Sequence, residues 1–490
     1  MDRAAEFFKV FLNWIWHNII FINLICSVVI IFFQRRDPKS VWGWLLLMYF
    51  LPVVGFIFYI LVGQDYSRTR MFRVKGIEDE LNSIIRRQED IILTKKYDPI
   101  DPSIERYSDL VLYNLESSGA VYTDDNEIEI FTDGKEKFSA LIDDLKKAEK
   151  YIHFQYYIIR DDELFDRIKE VLIEKVHEGV EVRVLYDSMG CRGMKSKVWK
   201  ELKNEGIATG EFFPALLGRL QLRLNYRNHR KIVVIDGKTA YVGGFNVGRE
   251  YLGLDEKKFG YWRDTHLRIR GGAVSFLQMR FLLDWNYTAR ENLLKDDSYF
   301  NSREERKGHS GVQIVSSGPD SRYKNIRNNY LKLIEDSKES IFIQTPYFVP
   351  DETILEALKV AALSGIDVRI IFPCKPDHPF VYWATYSYIG DMIRAGAKCY
   401  TYDNGFIHTK GLISDGKVMS YGTANMDVRS FSLNFEVNVT VYDPEVTARM
   451  QEIFLKDLAS CTEITSYIYG RRKWPVRVKE QICRLFSPIL

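Results

Sequence analysis

The feature that most restricts the fold of this chain is a string of residues that occurs twice. The two copies, with identical internal spacing, are His229-x-Lys231, Asp236, Gly243-Gly244 and Asn246, and His408-x-Lys410, Asp415, Gly422-Thr423 and Asn425. The two histidines are 179 positions apart (408 − 229). One HxK triplet is common by chance, whereas two full strings indicate an internal repeat. We therefore expect two similar folding units in tandem.

A pattern of strand, helix and strand precedes each copy of the string. The predicted elements are an amphipathic helix, a strand, a helix and a strand, at 138–148, 151–157, 164–177 and 179–185 in the first copy and at 330–337, 340–347, 354–363 and 365–371 in the second. Such βαβ units favour an α/β fold in which each copy is a sandwich with a largely parallel sheet. Two equivalent copies predict pseudo-two-fold symmetry.

Charge is distributed unevenly along the 490 residues. Residues 1–75 hold nine basic against four acidic side chains and residues 471–490 hold six against one, a net charge of +5 in each segment. Because the whole chain carries +2, the middle carries −8. An acidic body with basic ends is a poor nucleic-acid binder and suits a membrane surface. The six cysteines form no CxxC pair, which argues for reduced thiols and against a zinc knuckle.

Two uncharged stretches near the N-terminus, at about 10–33 and 41–62, predict a two-helix transmembrane hairpin. Each would reach about 33–36 Å as a helix, enough for a bilayer core of about 30 Å. A cleaved signal peptide is the alternative, but the second stretch argues against it. An interfacial or tilted first helix stays open, because several polar residues dilute that stretch.

The charges that flank this hairpin predict its orientation. The tip at 34–40 carries three basic residues and the two flanks carry six, so the positive-inside rule places the large body in the cytoplasm. At the other end, Val478, Ile482, Leu485 and Phe486 have roughly helical spacing in a basic segment. Two interpretations remain open for this segment: a helix packed on its own domain, or a helix resting on anionic headgroups.

The doubled string predicts one site built from both copies. On a strand, His and Lys at i and i+2 point to one face, and an Asn would arrive from the next strand. Two His, two Lys and two Asn around one pocket suit a phosphoryl group. One neutral His can attack phosphorus and form a phosphohistidine, while the other, protonated, serves the leaving alkoxide. This scheme needs no metal, and no histidine pattern with metal-ligand spacing occurs.

Four carboxylates are candidates for roles beside these groups. Asp236 and Asp415 each begin an Asp-Gly-Lys turn, so a structural role is at least as reasonable for them as a catalytic one. Asp264 and Glu436 are better candidates for orienting the imidazoles. A carboxylate on the far ring nitrogen fixes the tautomer of a histidine.

The doubled HxKxxxxD string with its Gly pair and Asn resembles the phospholipase D superfamily. Other segments are similar to bacterial cardiolipin synthases: Asp37-Pro38, Trp42-Gly43-Trp44, Leu51-Pro52-Val53-Val54-Gly55, Trp262-Arg263-Asp264-Thr265-His266, Tyr347-Phe348-Val349-Pro350 and Asn425-Met426-Asp427-Val428-Arg429-Ser430-Phe431. The resemblance covers the chain from about residue 35 to 490. It implies a bacterial plasma-membrane enzyme, multi-pass, with the body in the cytoplasm.

The resemblance also implies a reaction: transfer of a phosphatidyl group between two phosphatidylglycerol molecules, giving cardiolipin and glycerol without a cofactor. It makes His229 the nucleophile and His408 the acid, although the near-symmetry leaves the swap open. Lys231, Lys410, Asn246 and Asn425 would contact the phosphate. The second copy departs from many relatives at Thr423, whose methyl is expected to narrow the pocket slightly. Partners would be phosphatidylglycerol and the bilayer, and no nucleic acid.

The expected organisation is a transmembrane hairpin at 1–66, a linker or amphipathic segment at 67–110, phospholipase D-like domains at 111–305 and 306–470, and a basic amphipathic tail at 471–490. The motifs leave rival functions open, since a hydrolytic phospholipase D or a transferase with another alcohol acceptor would use the same phosphohistidine. A nuclease is disfavoured by the acidic body. An inactive lipid-binding scaffold is disfavoured by two complete motifs.

Overall fold

The computed structural model describes residues 2–33, 38–62, 75–94, 102–214, 226–255, 258–300 and 308–487. The chain divides into two compact units. One consists of Met1–Thr69 with Pro214–Tyr226, and the other of Arg70–Phe213 with Arg227–Leu490. Both copies of the repeat therefore belong to the same unit.

The first unit contains three helices, α1 (Asp2–Phe33), α2 (Pro38–Phe50) and α3 (Pro52–Val62). The prediction of a single helix over 41–62 is wrong, because the helix is interrupted at Leu51, between α2 and α3. Pro52 has no amide proton to donate to the Met48 carbonyl, which the helix would require. The buried Asn23 amide donates instead to the carbonyls of Met48 and Pro52, at 3.2 and 3.0 Å.

Within the described residues, no helix combines the length and the apolar character needed to cross a membrane. Positions 34–37 of the predicted hairpin tip lie outside those residues.

The segment predicted as a linker forms two helices, α4 (Lys75–Leu93) and α5 (Pro102–Ser118). Both helices belong to the larger unit. At the end of α4, Ile92 is buried in the same apolar cluster as Leu110 and Leu115. The Gln88 side chain also exchanges two hydrogen bonds with the main chain of Tyr122, at 2.9 and 2.8 Å. The described part of this segment is therefore fastened to the body.

The first copy of the repeat alternates strands and helices. Its elements are β1 (Tyr122–Phe131), α6 (Gly134–Lys146), β2 (Tyr151–Tyr156), α7 (Glu163–His177), β3 (Glu181–Asp187), α8 (Ser196–Asn204), β4 (Ala208–Phe212), β5 (Arg227–Asn228), β6 (Ile232–Ile235), β7 (Thr239–Gly243), β8 (Trp262–Arg263), β9 (His266–Arg270) and α9 (Ala273–Ala289).

The second copy follows the same order and adds a helical tail. Its elements are β10 (Ser310–Ser317), α10 (Asn325–Asp336), β11 (Ser340–Gln344), β12 (Phe348–Val349), α11 (Glu352–Leu363), β13 (Asp367–Pro373), α12 (Pro379–Arg394), β14 (Lys398–Tyr402), β15 (Phe406–Ile407), β16 (Gly411–Ser414), β17 (Val418–Gly422), β18 (Met426–Asp427), α13 (Val428–Ser432), β19 (Asn434–Tyr442), α14 (Pro444–Leu458), β20 (Cys461–Glu463), α15 (Ser466–Gly470) and α16 (Trp474–Leu485).

One continuous sheet joins the two copies. Its strand order is β20-β14-β13-β11-β16-β17-β19-β10-β1-β9-β7-β6-β2-β3-β4, and β5 pairs with β19. Counted outward, with β10 and β1 included, seven equivalent strands follow in the same order on each side, and β20 adds one more beyond β14. The predicted pseudo-two-fold relation is therefore present in the sheet.

The sheet is mixed, which corrects the expected largely parallel one. Along the strand order given above, β2-β3-β4 and the equivalent β11-β13-β14 are parallel, and the other neighbouring pairs of described strands are antiparallel. The reason is the tight turn after each HxK strand. Asp236 and Gly237 both have positive φ, 54° and 66°, as do Asp415 and Gly416, 53° and 64°. Two successive left-handed residues reverse the chain into an antiparallel hairpin.

Helices cover both faces of the sheet. Alternate residues of β6 show this, because Ile232 and Val234 pack into a cluster with α9 and α14, whereas Val233 and Ile235 pack into another with α6 and α7. The cluster under α9 and α14 contains residues from both copies. The two copies therefore share a core as well as a sheet, and the ends of their central strands are held in a fixed relation.

Candidate functional site

Each HxK segment lies between a two-residue strand and a core strand. His229 to Lys231 connects β5 to β6, and His408 to Lys410 connects β15 to β16. The short strands pair across the repeat, β5 with β19 and β15 with β8. The pairing continues through the amide of His229 to the Phe435 carbonyl, 2.9 Å, and the amide of His408 to the Arg263 carbonyl, 2.7 Å. Each histidine is thus positioned by the backbone of the opposite copy.

The histidines are hydrogen-bonded to the two carboxylates predicted to orient them, again across the repeat. Nδ1 of His229 lies 3.0 Å from both carboxylate oxygens of Glu436, and Nδ1 of His408 lies 2.7 Å from Oδ2 of Asp264. The imidazoles are about one-tenth exposed and the carboxylates are fully buried. With Nδ1 protonated and donating, Nε2 is the ring nitrogen left for chemistry.

The two lysines are buried beside the histidines. Lys231 Nζ donates to the main-chain oxygen of His229 at 2.7 Å, and Lys410 Nζ makes the equivalent bond to His408. Lys410 Nζ also lies 3.9 Å from Asp264. Each HxK pair therefore has its two side chains together, as the period of an extended chain predicts.

Burial and neighbouring charges set the protonation of these groups. Burial, reinforced by the Lys410 charge, lowers the pKa of His408 to about 4, and burial also lowers the pKa of His229. Burial would raise the pKa of Asp264, but Lys410 and His408 outweigh it and lower that pKa. The pKa of Glu436 is lowered in the same way by His229 and Lys231. At pH 7 the imidazoles are therefore neutral and both carboxylates ionised.

Burial also lowers the pKa of Lys410 to about 8 and that of Lys231 well below its usual range. An ammonium group in a site without water is stabilised by an incoming anion. The site is consequently suited to a ligand that brings negative charge with it.

Asp236 and Asp415 contact main-chain amides rather than the imidazoles. Asp236 accepts hydrogen bonds from the amides of residues 149–151, and Asp415 from those of residues 338–340. The four residues of β6 lie between Lys231 and Asp236, which places their Cα atoms about 17 Å apart along an extended strand. These contacts fasten the hairpin turn to the start of β2 or β11, and a catalytic role for either aspartate stays a prediction.

The two asparagines lie at the ends of their hairpins with their amides engaged. Asn246 Nδ2 donates to the Tyr251 hydroxyl at 3.2 Å, and its Oδ1 accepts from the amide of Ile158. Asn425 Nδ2 donates to Asp427 at 3.1 Å. Both are buried. These contacts fix where each amide points, and their assignment to the phosphate stays a prediction.

Two buried arginine clusters under the site were not predicted. Arg230 donates from Nη1 to both carboxylate oxygens of Asp284, at 2.6 and 2.8 Å, and from Nε to the main-chain oxygen of Glu436 at 3.2 Å. Arg263 makes a bidentate pair with Asp457, 2.9 and 2.7 Å, and donates to the main-chain oxygen of Asp264. Each arginine therefore binds the backbone of a residue that orients a histidine.

A glutamine completes each cluster. Gln155 on β2 and Gln344 on β11 donate to Asp284 and Asp457 respectively, both at 2.8 Å. These glutamines occupy equivalent places in the two copies of the repeat. That equivalence is the signal by which sequence comparison could have found the clusters.

The residue after the first Gly of each motif differs between the copies, and the structure gives the reason. A Cβ on Gly244 would lie 1.9 Å from Oδ1 of Asp264, so only glycine fits there. At the equivalent position the Thr423 hydroxyl donates to Oε2 of Glu436 at 2.6 Å. The expected effect of Thr423 was a narrower pocket; what the side chain provides is a hydrogen bond to a buried carboxylate.

In the described parts of the chain, no three His, Cys, Asp or Glu side chains are grouped so as to hold a metal ion.

Two His–Lys pairs, each with a carboxylate from the opposite copy on one shared α/β sheet, define the phospholipase D-like class of protein. A family model described as cardiolipin synthase, phospholipase D-like domain, matches residues 141–258 and 330–458, and one described as phospholipase D-nuclease N-terminal matches 21–64. The chain belongs to the cardiolipin synthase family.

Similar proteins extend over nearly the whole chain. A cardiolipin synthase of Oceanobacillus iheyensis is 48% identical over 96% of this chain and 97% of its own length. The major cardiolipin synthase of Bacillus subtilis (strain 168) is 47% identical over the same shares. The crystal structure of a phosphatidylserine synthase from Haemophilus influenzae Rd KW20 superposes with a TM-score of 0.56 at 17% identity, covering 74% of this chain and 95% of that one, which shows the fold alone.

Proposed function

We propose that this protein is a phosphatidyltransferase that converts two phosphatidylglycerol molecules to cardiolipin and glycerol. The observation that carries the proposal is the pair of imidazoles, each held at Nδ1 by a buried carboxylate of the opposite copy. Such a pair can supply one nucleophile and one acid–base group to a single phosphodiester. The relatives named cardiolipin synthases, similar over nearly their full length, support the choice of substrate.

In the first step His229 Nε2 attacks phosphorus of the donor phosphatidylglycerol. A P–N bond forms, the P–O bond to the headgroup glycerol breaks, and His408 gives its Nε2 proton to the leaving alkoxide, releasing glycerol. The neutral state of His229 at pH 7 suits attack. The pKa of His408 is low in the free protein, and the arriving phosphate anion raises it towards the value an acid needs.

In the second step the free headgroup hydroxyl of another phosphatidylglycerol attacks the phosphohistidine. His408, now neutral, takes the hydroxyl proton; the P–N bond breaks and a P–O bond forms, giving cardiolipin. Lys231 and Lys410 supply positive charge to the phosphate oxygens, and Asn246 and Asn425 supply amide donors. No cofactor takes part in this sequence.

We further propose that the first unit attaches the protein to the bacterial plasma membrane, with the catalytic body on the cytoplasmic side. Exposed apolar side chains on α1 support this, with Ile20 77% and Phe32 75% exposed. We assign the two phospholipase D-like domains to 111–305 and 306–470, where the two sets of seven equivalent strands fall. Protease accessibility in sealed membrane vesicles tests the orientation, since the body should be cleaved only in inside-out vesicles.

The test of function supplies the full chain with phosphatidylglycerol in mixed micelles and follows lipid products and glycerol. Cardiolipin and glycerol should appear in equal amounts and be absent with His229→Ala. Phosphatidic acid without cardiolipin would identify a hydrolase instead and overturn the transferase proposal.

A second substrate separates the two histidines. Phosphatidyl-p-nitrophenol has a leaving group that needs no acid. His408→Ala should release one equivalent of p-nitrophenol and retain a phosphatidyl group on His229, detectable by mass spectrometry. The same burst in His229→Ala, with the modification on His408, would reverse the assignment.

A further inference from the structure

The C-terminal helix α16 presents an apolar stripe to solvent. Trp474, Val478, Ile482 and Leu485 follow one another at helical spacing, and three of them are 75%, 49% and 79% exposed, in the order Trp474, Ile482, Leu485. Apolar residues at this spacing normally face the core of the domain. Here the opposite face, with Glu480 and Cys483, is the buried one.

The buried face of α16 is held by specific contacts, so the outward stripe is a fixed feature of the fold. Arg472 makes a bidentate ion pair with Glu480, 2.7 and 2.8 Å. Arg484 pairs with Asp391 of α12 at 2.7 Å. Cys483 packs with Ala384 in a small apolar cluster. The tail is therefore a helix packed on its own domain, as one of the two interpretations expects, and its apolar stripe faces away from that domain.

Basic side chains border the stripe. On a helix of 3.6 residues per turn, Arg477 lies to one side of it and Lys479 to the other. Arg471 and Lys473 are exposed just before the helix begins. Together with its neighbours this segment, 471–490, holds six basic residues against one acidic residue. A helix with an apolar stripe between basic borders, and a Trp at one end, has the properties of an interfacial helix on anionic lipid.

The helix pair α12–α16 places this stripe relative to the site. Lys479 lies over the Trp383 ring, 5.6 Å from its centre, and Arg484 over the Tyr388 ring at 4.3 Å, so the two helices run in the same direction. The Trp474 end of α16 therefore lies at the Pro379 end of α12.

That end of α12 adjoins the site. Asp377, just before the helix, accepts a hydrogen bond from the Tyr347 hydroxyl and acts electrostatically on His408 and Lys410. Phe380, in the first turn of α12, is 60% exposed. An aromatic and basic surface thus extends from the tail to the neighbourhood of His408.

We propose that α16 is a docking surface for an anionic bilayer, which brings the site of the larger unit to the lipid from which its substrate comes. The proposal rests on the proposed function for the identity of that substrate. Trp474, Ile482 and Leu485 enter the interface between headgroups and acyl chains, and the bordering Arg and Lys side chains contact lipid phosphates. Charge complementarity selects phosphatidylglycerol-rich membrane over a zwitterionic one.

The test compares two forms of one substrate. The full chain is reconstituted in phosphatidylcholine vesicles, and phosphatidylglycerol is supplied either as long-chain lipid in that bilayer or as short-chain lipid dissolved as monomers. In the variant Trp474→Ser with Leu485→Ser, cardiolipin formation from bilayer lipid should fall at least tenfold, while that from monomers should stay within twofold. The matched control is Val360→Ser with Leu363→Ser on α11, whose side chains are 61% and 71% exposed; it should change neither rate.

Hydrogen exchange gives a readout that does not depend on turnover. Amides of 474–486 should be protected on vesicles containing phosphatidylglycerol relative to phosphatidylcholine vesicles, and this difference should vanish in the stripe variant. A wild-type chain that makes no cardiolipin but shows the protection would overturn the proposed function alone. Equal loss of both rates, no loss of either, or a stripe that instead joins two copies of the chain in solution would overturn the docking proposal.

Discussion

The two copies of the repeat build the same His–carboxylate pair with different support. Glu436, beside His229, accepts a second hydrogen bond from the Thr423 hydroxyl. Asp264, beside His408, lies close to an ammonium group instead, Lys410 Nζ at 3.9 Å. Asp264 also accepts from the main-chain amide of Thr265 at 2.8 Å, so the two carboxylates differ in the ammonium group close to Asp264 and the hydroxyl beside Glu436.

The difference teaches how a symmetric fold can give its halves unequal roles. A carboxylate shared with an ammonium group stabilises an imidazolium less, because part of its charge is already balanced. Burial lowers the pKa of both histidines. After burial, the largest influence on the pKa of His408 is the Lys410 charge, which lowers it further. For His229 it is the Glu436 charge, which raises the pKa. Four sets of substitutions test this difference between the copies.

The largest effect is expected from the carboxylates. Glu436→Gln and Asp264→Asn should each lower kcat by about 10²- to 10⁴-fold, because an amide no longer fixes the Nδ1-protonated tautomer or stabilises positive charge on the ring. With phosphatidyl-p-nitrophenol, Glu436→Gln should slow the burst itself. Asp264→Asn should leave the burst and slow only the turnover that follows.

The control is Glu339→Gln, an exposed carboxylate of the second copy, which should keep full activity. Equal effects of Glu436→Gln and Asp264→Asn on the burst would show that the two histidines are not differentiated by their carboxylates.

How much of this arrangement can be read from the sequence depends on whether the determinant is local. The order of helices and strands in the repeat was predicted well. Three helices begin earlier than expected, directly after Asp133, Asp162 and Asp351, whose side chains cap their first turns. Capping is local and could have been used. The mixed sheet was not predicted. Its antiparallel part depends on the tight turn at Asp236-Gly237, which reverses the chain between β6 and β7.

The features of the site likewise fall into those that local sequence predicts and those that depend on distant segments. Spacing brought out the two HxK pairs, and Asp264 and Glu436 could be named as orienting groups from residue type. The exchange of partners between the copies, Glu436 with His229 and Asp264 with His408, depends on β5–β19 and β8–β15 pairing, which joins segments far apart in the chain. Nothing in either segment alone specifies that pairing.

Substitution of Arg230 and Arg263 tests whether their ion pairs stabilise the two copies of the repeat equally. Arg230→Met and Arg263→Met each leave a largely buried aspartate without its ion-pair partner, so each should lower the free energy of unfolding by about 3–5 kcal/mol. Urea unfolding of the full chain in detergent measures this. Arg394→Met is the control, because its pair with Asp391 is two-thirds exposed at the arginine and should contribute less than about 1 kcal/mol. A small loss for only one buried arginine would show that one copy holds the site without its cluster.

The lysine beside Asp264 should give the alkaline limb of the pH profile. With the pKa of Lys410 at about 8, its ammonium group loses its proton as the pH rises through 8, and kcat/KM should fall about tenfold per unit above that value. Lys410→Arg keeps the charge throughout, since the guanidinium pKa exceeds 12. Its profile should lose the limb centred near pH 8, at a lower absolute rate. An unchanged midpoint in Lys410→Arg would assign the limb to another group.

The smallest effect is expected from the hydroxyl that only the second motif possesses. Thr423→Val keeps the shape of the side chain and removes the donor to Glu436, which costs about 1–2 kcal/mol for a charged acceptor, or roughly 10-fold in the burst rate. Thr423→Ser restores the hydroxyl and should recover most of that rate, which a purely steric role for the methyl would not allow. The Thr423 hydrogen bond helps to lower the pKa of Glu436, so that pKa should rise in Thr423→Val, and the acid limb of the burst rate should shift upwards with it. If Thr423→Val and Thr423→Ser have equal burst rates, the hydroxyl on Glu436 has no effect on the reaction. The two carboxylates then act equally although their neighbours differ.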